Sequence, residues 1–395
     1  MAKGPYTTID FHWYKRAQNS IAHASLTNSK RAESFVKGVY PTHISNSKGC
    51  FVWDHQNRKY IDFICGLGTN LLGYGNEEIA QVVAKQAYSG FSPSLATDIE
   101  VRAAEKVKEL FPWVQKVRFL KTGSDACSAA VRIARAHTKD LDVYSEGYHG
   151  WHDQFASIMS PAIGVIPQDC IYKSRGIFGD INIVEPIELD NSEERIDHLK
   201  KSSGFKIFDE VITGFRYKSH SVSKHHGITP DLICLGKAIA NGLPLSVVGG
   251  SSSIMECDEY FVSSTYAGET LSLVAAIKNM ELLQTKYDIN DLWDVGQRFM
   301  DEFNSMSDKL KLKGYATRGR FEGDELTKAL FFQECVKAGV LFGPSWFICF
   351  PHIPLIDDVL KICESVFMKI KSGMVKLEGE MPKSPFAERM RRANT

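Results

Sequence analysis

The chain has 395 residues, 44% hydrophobic and 24% charged, enough for one large globular domain and a smaller one. Lys+Arg and Asp+Glu each number 47, which argues against the basic footprint of a nucleic-acid binder and against a field that selects an anionic membrane. Nine scattered cysteines form no CxxC pair, the first thirty residues lack an apolar signal core, and no apolar run is long enough to cross a bilayer; reduced thiols, a cytoplasmic location and no membrane partner are therefore expected.

Residues 11–35 read as helical. Residues 50–53 and 59–64 read as strands around a turn at Gln56 and Asn57. Helices follow over about 77–88 and 97–110, the second stopped by Pro112. Short apolar strands then alternate with helices: strand 116–120, helix 124–136, strands 142–145 and 182–184, helix 193–201, strands 205–208, 232–235 and 246–248. That alternation predicts an α/β fold with a mainly parallel sheet, its ligand beyond the carboxyl ends of the strands. After about 260 the pattern changes to long helices over 271–287 and 291–306 and an α+β stretch to 371. The expected division is an N-terminal segment 1–46 joining the small domain, a large cofactor-binding domain 47–260, and a small domain 261–395. The tail carries Pro382, Pro385 and a basic cluster of Arg389, Arg391 and Arg392.

Three strand ends carry chemistry. At Lys121-Thr122-Gly123-Ser124-Asp125 a strand enters a turn that opens a helix, where backbone N–H groups and the Ser124 hydroxyl suit an anion; a plain N-cap serine reads the same way. At Phe208-Asp209-Glu210-Val211 a strand ends in two acids, which can meet a cationic ring nitrogen or a metal, or simply cap the surface. At Leu235-Gly236-Lys237-Ala238 a lysine follows an apolar strand, poised as a nucleophilic amine or merely snorkelling. One ligand needs a phosphate site, a ring-nitrogen acid and a lysine amine together: pyridoxal 5'-phosphate. Gly147-Tyr148-His149-Gly150-Trp151-His152 follows another strand, so Tyr148 can stack on the ring. His149 and His152 have the spacing of a metal pair but lack a third ligand, so no metal is expected.

The segments FDEVITGFR and TPDLICLGKAIANGLPLSVVGG, with Asp209 and Lys237 28 residues apart, resemble the class III (ω-type) aminotransferases of the type I pyridoxal-phosphate fold. Within that family they are most similar to the branch containing glutamate-1-semialdehyde aminomutase. The resemblance spans about residues 30–365. It implies a seven-stranded, mainly parallel sheet in a large domain, beside a smaller α+β domain. It also implies that Lys237 carries the cofactor as an internal aldimine and Asp209 holds the pyridinium proton. Tyr148 and Val211 would flank the ring, and Gly123 and Ser124 would bind the phosphate. Glu185, in Val184-Glu185-Pro186, would lie near cofactor or substrate. Thr265, in Ser264-Thr265-Tyr266-Ala267-Gly268, would reach the phosphate of a neighbouring subunit, which implies a homodimer with shared sites.

The sequence departs from the family where the aminomutase places an arginine for a carboxylate: His43 or a neighbour stands there. Leu67 replaces an aromatic, and residues 341–347 hold no arginine. Arginine forks suit carboxylates, so these departures argue against an α-amino-acid semialdehyde. The segments GVYPTHI and GLGTNLLGY resemble family members of surface-polysaccharide and secondary-metabolite pathways, which implies a sugar-like or secondary-metabolite ketone or aldehyde as acceptor, with an amine or amino acid as donor. The aminomutase reaction itself and a non-catalytic cofactor-binding relative are the alternatives. His43, Trp151 and Trp346 are the open positions for the substrate pocket.

Overall fold

The structure is a computed structural model that describes residues 8–159, 162, 164–174, 178–189, 193–257 and 260–383. Pro385, Arg389, Arg391 and Arg392 lie outside the described residues. Contacts divide the chain into two compact units. One holds the residues up to 68, 72–75 and those from 291 onward; the other holds 69–71 and 76–290.

The first unit begins with the helix Thr8–Ser20, followed by three short 3-10 turns instead of the continuous helix expected to residue 35. The Ser25 hydroxyl donates to the Thr27 carbonyl and accepts the Thr27 N–H there, offering the chain an alternative to the helical ladder. Strands β1 (Ile44–Lys48), β2 (Phe51–Asp54) and β3 (Lys59–Asp62) form a meander. Asp54 accepts the backbone N–H groups of Gln56 and Arg58, and Asn57 takes φ 60°, so the turn read from the sequence has its mechanism. Beyond β3, Cys65, Gly66, Leu67 and Gly68 all have positive φ, which makes one left-handed turn around the Leu67 position.

The second unit is built on a seven-stranded sheet. Its strands are β4 (Lys116–Leu120), β5 (Val143–Glu146), β6 (Ile171–Lys173), β7 (Ile181–Val184), β8 (Phe205–Glu210), β9 (Leu232–Leu235) and β10 (Ser246–Gly250), in the order β4-β10-β9-β8-β7-β5-β6. Strand β10 is antiparallel to both neighbours and every other pairing is parallel. The central strands β7 and β9 are buried at every position, as parallel strands covered on both faces require. The helix Gly123–Thr138 lies across β8, β9 and β10 and buries Ala126, Cys127, Ala130, Ile133 and Ala134.

The first unit is completed by β11 (Leu310–Tyr315), β12 (Arg318–Gly323), β13 (Val340–Leu341) and β14 (Ser345–Phe347). Strands β11, β12 and β14 form one antiparallel sheet, while β13 pairs parallel with β3. This pairing groups residues 44–62 with the C-terminal unit. The helix Thr270–Thr285 packs on the helices Glu77–Ala87 and Asp98–Leu110, and the second contact unit runs to residue 290. Trp346 is wholly buried and stacks on Phe299 at 5.3 Å, within a cluster that includes Phe63, Phe303, Phe331 and Phe342. It is a core residue, whose burial contributes about 2–3 kcal/mol. Among the described residues no helix is long and apolar enough to cross a membrane.

Candidate active site

The ends of β4, β8 and β9 meet. A Cβ placed on Gly123 would stand 2.8 Å from a Val211 methyl, and one on Gly236 would stand 3.1 Å from the same methyl. Two strand-end glycines thus let Val211 lie between the turn after β4 and the residue before Lys237. Lys237 itself takes φ 39°, an uncommon conformation for a side-chain-bearing residue, and its charge acts on Asp209.

The turn after β4 is capped by Thr122, not Ser124. Thr122 Oγ1 accepts the Asp125 N–H at 3.2 Å and its carbonyl takes that of Ala126, while Asp125 returns a bond to the Thr122 N–H. Gly123 and Ser124 are the first two helical residues, and their N–H groups have no acceptor among the described residues. The Ser124 hydroxyl oxygen accepts the Trp151 N–H at 3.3 Å, which leaves its proton to donate. Two amides and a hydroxyl at a helix start suit a phosphate.

The two acids that end β8 behave differently, because alternate strand residues face opposite ways. Glu210 is wholly buried and accepts Val222 N–H, Ser223 N–H, Ser223 Oγ–H and Thr213 Oγ1–H, so it holds a neighbouring loop. Asp209 Oδ1 accepts the Val211 N–H at 3.1 Å, and Oδ2 accepts from His149 Nδ1 at 2.8 Å and from the Cys127 thiol at 3.3 Å.

His149 was not singled out with Asp209 in the sequence, and its Nε2 faces the Glu146 carbonyl at 3.0 Å. A carbonyl can only accept, and an ionised carboxylate can only accept, so both ring nitrogens donate and the ring is an imidazolium. Burial works against that charge, but the bond to Asp209, aided by Cys127, outweighs it and raises the His149 pKa from 6.5 to about 10. Burial likewise opposes the Asp209 anion, and the hydrogen bond and charge of His149 hold its pKa below the ordinary value. His152 faces elsewhere, with Nδ1 2.8 Å from Ser128 Oγ, so the two histidines do not converge.

The loop 147–152 is therefore latched at several points. The Tyr148 N–H donates to Glu185 Oε1 at 2.8 Å, which explains why Glu185 is buried at the end of β7. Gly150 has φ 110°, and a Cβ there would stand 2.3 Å from Ser124 Oγ, so glycine is required. The side chains of Tyr148 and Trp151 are left 50% and 70% exposed. Thr265 is exposed in the turn before the helix Thr270–Thr285; Glu269 of that turn bonds Lys121 at the end of β4 at 3.0 Å.

This arrangement can be set beside known proteins. The family description "Aminotransferase class-III" matches residues 35–161 and 197–360. The chain belongs to the class III aminotransferases. Glutamate-1-semialdehyde 2,1-aminomutase of Neisseria gonorrhoeae is 27% identical over 414 residues, covering 88% of this chain and 96% of that one. 3-Aminobutyryl-CoA aminotransferase of Cloacimonas acidaminovorans is 30% identical over 368 residues, covering 82% and 88%. The FumI protein of Sphingopyxis sp. MTA144, solved in its PLP internal aldimine form, shares the fold with a TM-score of 0.86 at 22% identity, covering 95% of this chain and 99% of that one.

This class III aminotransferase is a pyridoxal-phosphate enzyme of fold type I, as the sequence resemblance implied. Its donor set suits that cofactor: two free amides and a hydroxyl for the phosphate, a carboxylate with capacity left on Oδ1 for a ring nitrogen, and a lysine at the neighbouring strand end. His149 and Cys127 are the residues that motif spacing did not reveal. Neither lies in a strand-end pattern with Asp209, and only the fold brings them to one oxygen.

Proposed function

We propose that the enzyme moves an amino group from an amine or amino acid to a ketone or aldehyde that carries no α-amino-acid carboxylate, and that it works as a cytoplasmic homodimer. The observation that carries the reading is Asp209, buried, held as an anion by three donors and set beside the Lys237 strand end. When bound, pyridoxal 5'-phosphate supplies an aldehyde that joins to amines and a ring that accepts electrons from the carbon losing its proton. Lys237 Nζ would be the amine that holds the cofactor, and as a free amine it would move the proton. Asp209 Oδ1 keeps the ring-nitrogen proton in place. The Gly123 and Ser124 N–H groups and the Ser124 hydroxyl hold the phosphate. Val211 and Tyr148 would flank its ring, the Tyr148 loop being fixed by Glu185.

Thr265 is assigned to the phosphate of the partner subunit. Its turn adjoins an exposed apolar strip of Tyr88, Phe91, Leu95, Phe261 and Tyr266, whose two segments meet where the Thr270 N–H donates to the Phe91 carbonyl at 2.9 Å. Such a strip suits a subunit interface. The nine cysteines are free thiols, which suits the cytoplasm. For the acceptor, His43 or a neighbour, and Leu67, stand where the resemblance would put an arginine and an aromatic. The relative named for 3-aminobutyryl-CoA likewise acts on a compound without an α-carboxylate.

The long overlap with the aminomutase supports a second reading, an internal shift of the amino group within glutamate-1-semialdehyde. One experiment separates the two. Purified protein is loaded with pyridoxal phosphate, and its visible band is followed on adding glutamate, alanine, β-amino acids or simple amines in turn. Transfer predicts bleaching with release of the matching carbonyl compound, and borohydride treatment before donor addition fixes the cofactor to Lys237. Conversion of glutamate-1-semialdehyde to 5-aminolevulinate, with no donor bleaching the band, would select the mutase. A protein that takes up no cofactor would refute both.

A further inference from the structure

Asp209 Oδ2 receives two donors, and the second is unusual. Cys127 lies in the first turn of the helix Gly123–Thr138, just past the amides assigned to the phosphate, and is buried. Its sulfur is 3.3 Å from Asp209 Oδ2. Across the sheet, Cys234 on β9 is the residue paired in register with Asp209 on β8. A thiol has one proton to give and can accept weakly. The contact at 3.3 Å directs that proton at the carboxylate, which can only accept. Burial first, then Cys234 and Asp209, hold the Cys127 thiol well above its ordinary pKa, so it stays protonated and acts as a donor.

We propose that Cys127 is a positioning residue whose S–H, donated to Asp209 Oδ2 beside the His149 N–H, lowers the basicity of that carboxylate and so sets how tightly Oδ1 holds the ring-nitrogen proton of the cofactor. The proposal rests on the assignment of Asp209 to that nitrogen. Sulfur is a weak donor, so loss of the bond shifts proton affinity by roughly threefold, about half a pH unit.

Three variants separate donation from packing. Cys127→Ser keeps a donor, Cys127→Val fills the space without one, and Cys127→Ala does neither. Two signals are read: the low-field proton resonance of His149 Nδ1–H, with and without pyridoxal phosphate, and the pH midpoint of the visible absorbance of the holoenzyme. If Cys127 donates, Val and Ala both move the His149 proton downfield, because Oδ2 has lost a competing donor. Both also move the midpoint in one direction by about half a unit, and Ser stays within about 0.2 unit of the wild type. If Val matches the wild type, whether or not Ala departs, the residue only packs and the proposal is overturned. Should Ala fail to fold, the contrast between Val and Ser decides. A wild-type protein that binds no pyridoxal phosphate removes the assignment of Asp209 to the ring. The His149 resonance of the cofactor-free protein still tests the donor itself.

Discussion

The floor and the rim of the site are built in opposite ways. On the floor, Asp209, Cys127, His149 and Val211 are all buried, and each polar atom of the Asp209 carboxylate has a named donor. On the rim, Tyr148, Trp151 and Tyr266 are half-exposed or more, and they sit on loops held mainly by backbone bonds. A buried ion pair is costly to desolvate, and it persists only where its geometry is complete. A rim residue carries no such constraint. On the proposed reading, the floor carries the chemistry and the rim is free to meet the partner and the substrate.

If the floor carries the chemistry, its loss should dominate. Lys237→Ala is expected to lower turnover by on the order of ten-thousandfold or more, because the amine that moves the proton is gone. Dialysis should then strip the cofactor, which borohydride no longer fixes to the chain. A variant that kept turnover within about tenfold of wild type would take the chemistry away from this strand end.

The next largest effect is one of stability. His149→Gln breaks a buried ion pair and leaves Asp209 short of a charged partner, at a cost of about 3–5 kcal/mol. The cost depends on pH. The pKa of His149 is raised from 6.5 to about 10, so its contribution is whole below about 6.5 and is lost as pH climbs through 10. Asp209 is held below its ordinary 3.8, so its contribution is present above that value and is lost as pH falls through the lowered one. The gap in melting temperature between wild type and variant should be widest between these limits, near pH 5–6, and should narrow steadily toward pH 10. A gap that stayed level over that range would mean that His149 is neutral.

The same contrast explains what could be read from the sequence. Asp209, Lys237 and Gly123-Ser124 were legible because strand-to-turn patterns place them beyond one sheet edge, and one cofactor needs all three. That Asp209 and not Glu210 turns inward depends on where β8 starts, and a one-residue shift would exchange them. His149 was seen only as half of a metal pair with His152, because spacing along the chain says nothing about the carboxylate across the sheet. The division into contact units is hard to read from the sequence for a similar reason. Strand β3 finds its parallel partner β13 nearly three hundred residues later, and local pattern cannot reveal such a pairing. The helix Thr270–Thr285 is apolar enough to be buried in either unit, so its sequence does not say which.

Between floor and rim lies Gly150, which joins them. Gly150→Ala would force a Cβ to within 2.3 Å of the Ser124 hydroxyl at φ 110°, so either the loop or the serine must move. The strain expected is about 1–3 kcal/mol. It should appear as weaker cofactor binding, with little loss of melting temperature in the cofactor-free protein, since the loop can relax when nothing occupies the turn. Equal losses with and without cofactor would show that the glycine serves the fold alone.

The smallest effect belongs to the rim itself. Tyr148→Leu keeps an apolar side chain but removes the ring assigned to stack on the cofactor. Aromatic stacking adds about 0.5–1.5 kcal/mol beyond area, so cofactor affinity should fall by roughly three- to tenfold. The Tyr148 backbone still donates to Glu185, and the Asp209–His149 pair is untouched, so the melting temperature of the cofactor-free protein should not change. The low-field His149 proton should stay where it is in the wild type. If that proton moved, rim and floor would be coupled, and the separation drawn between them would fail at its most exposed residue.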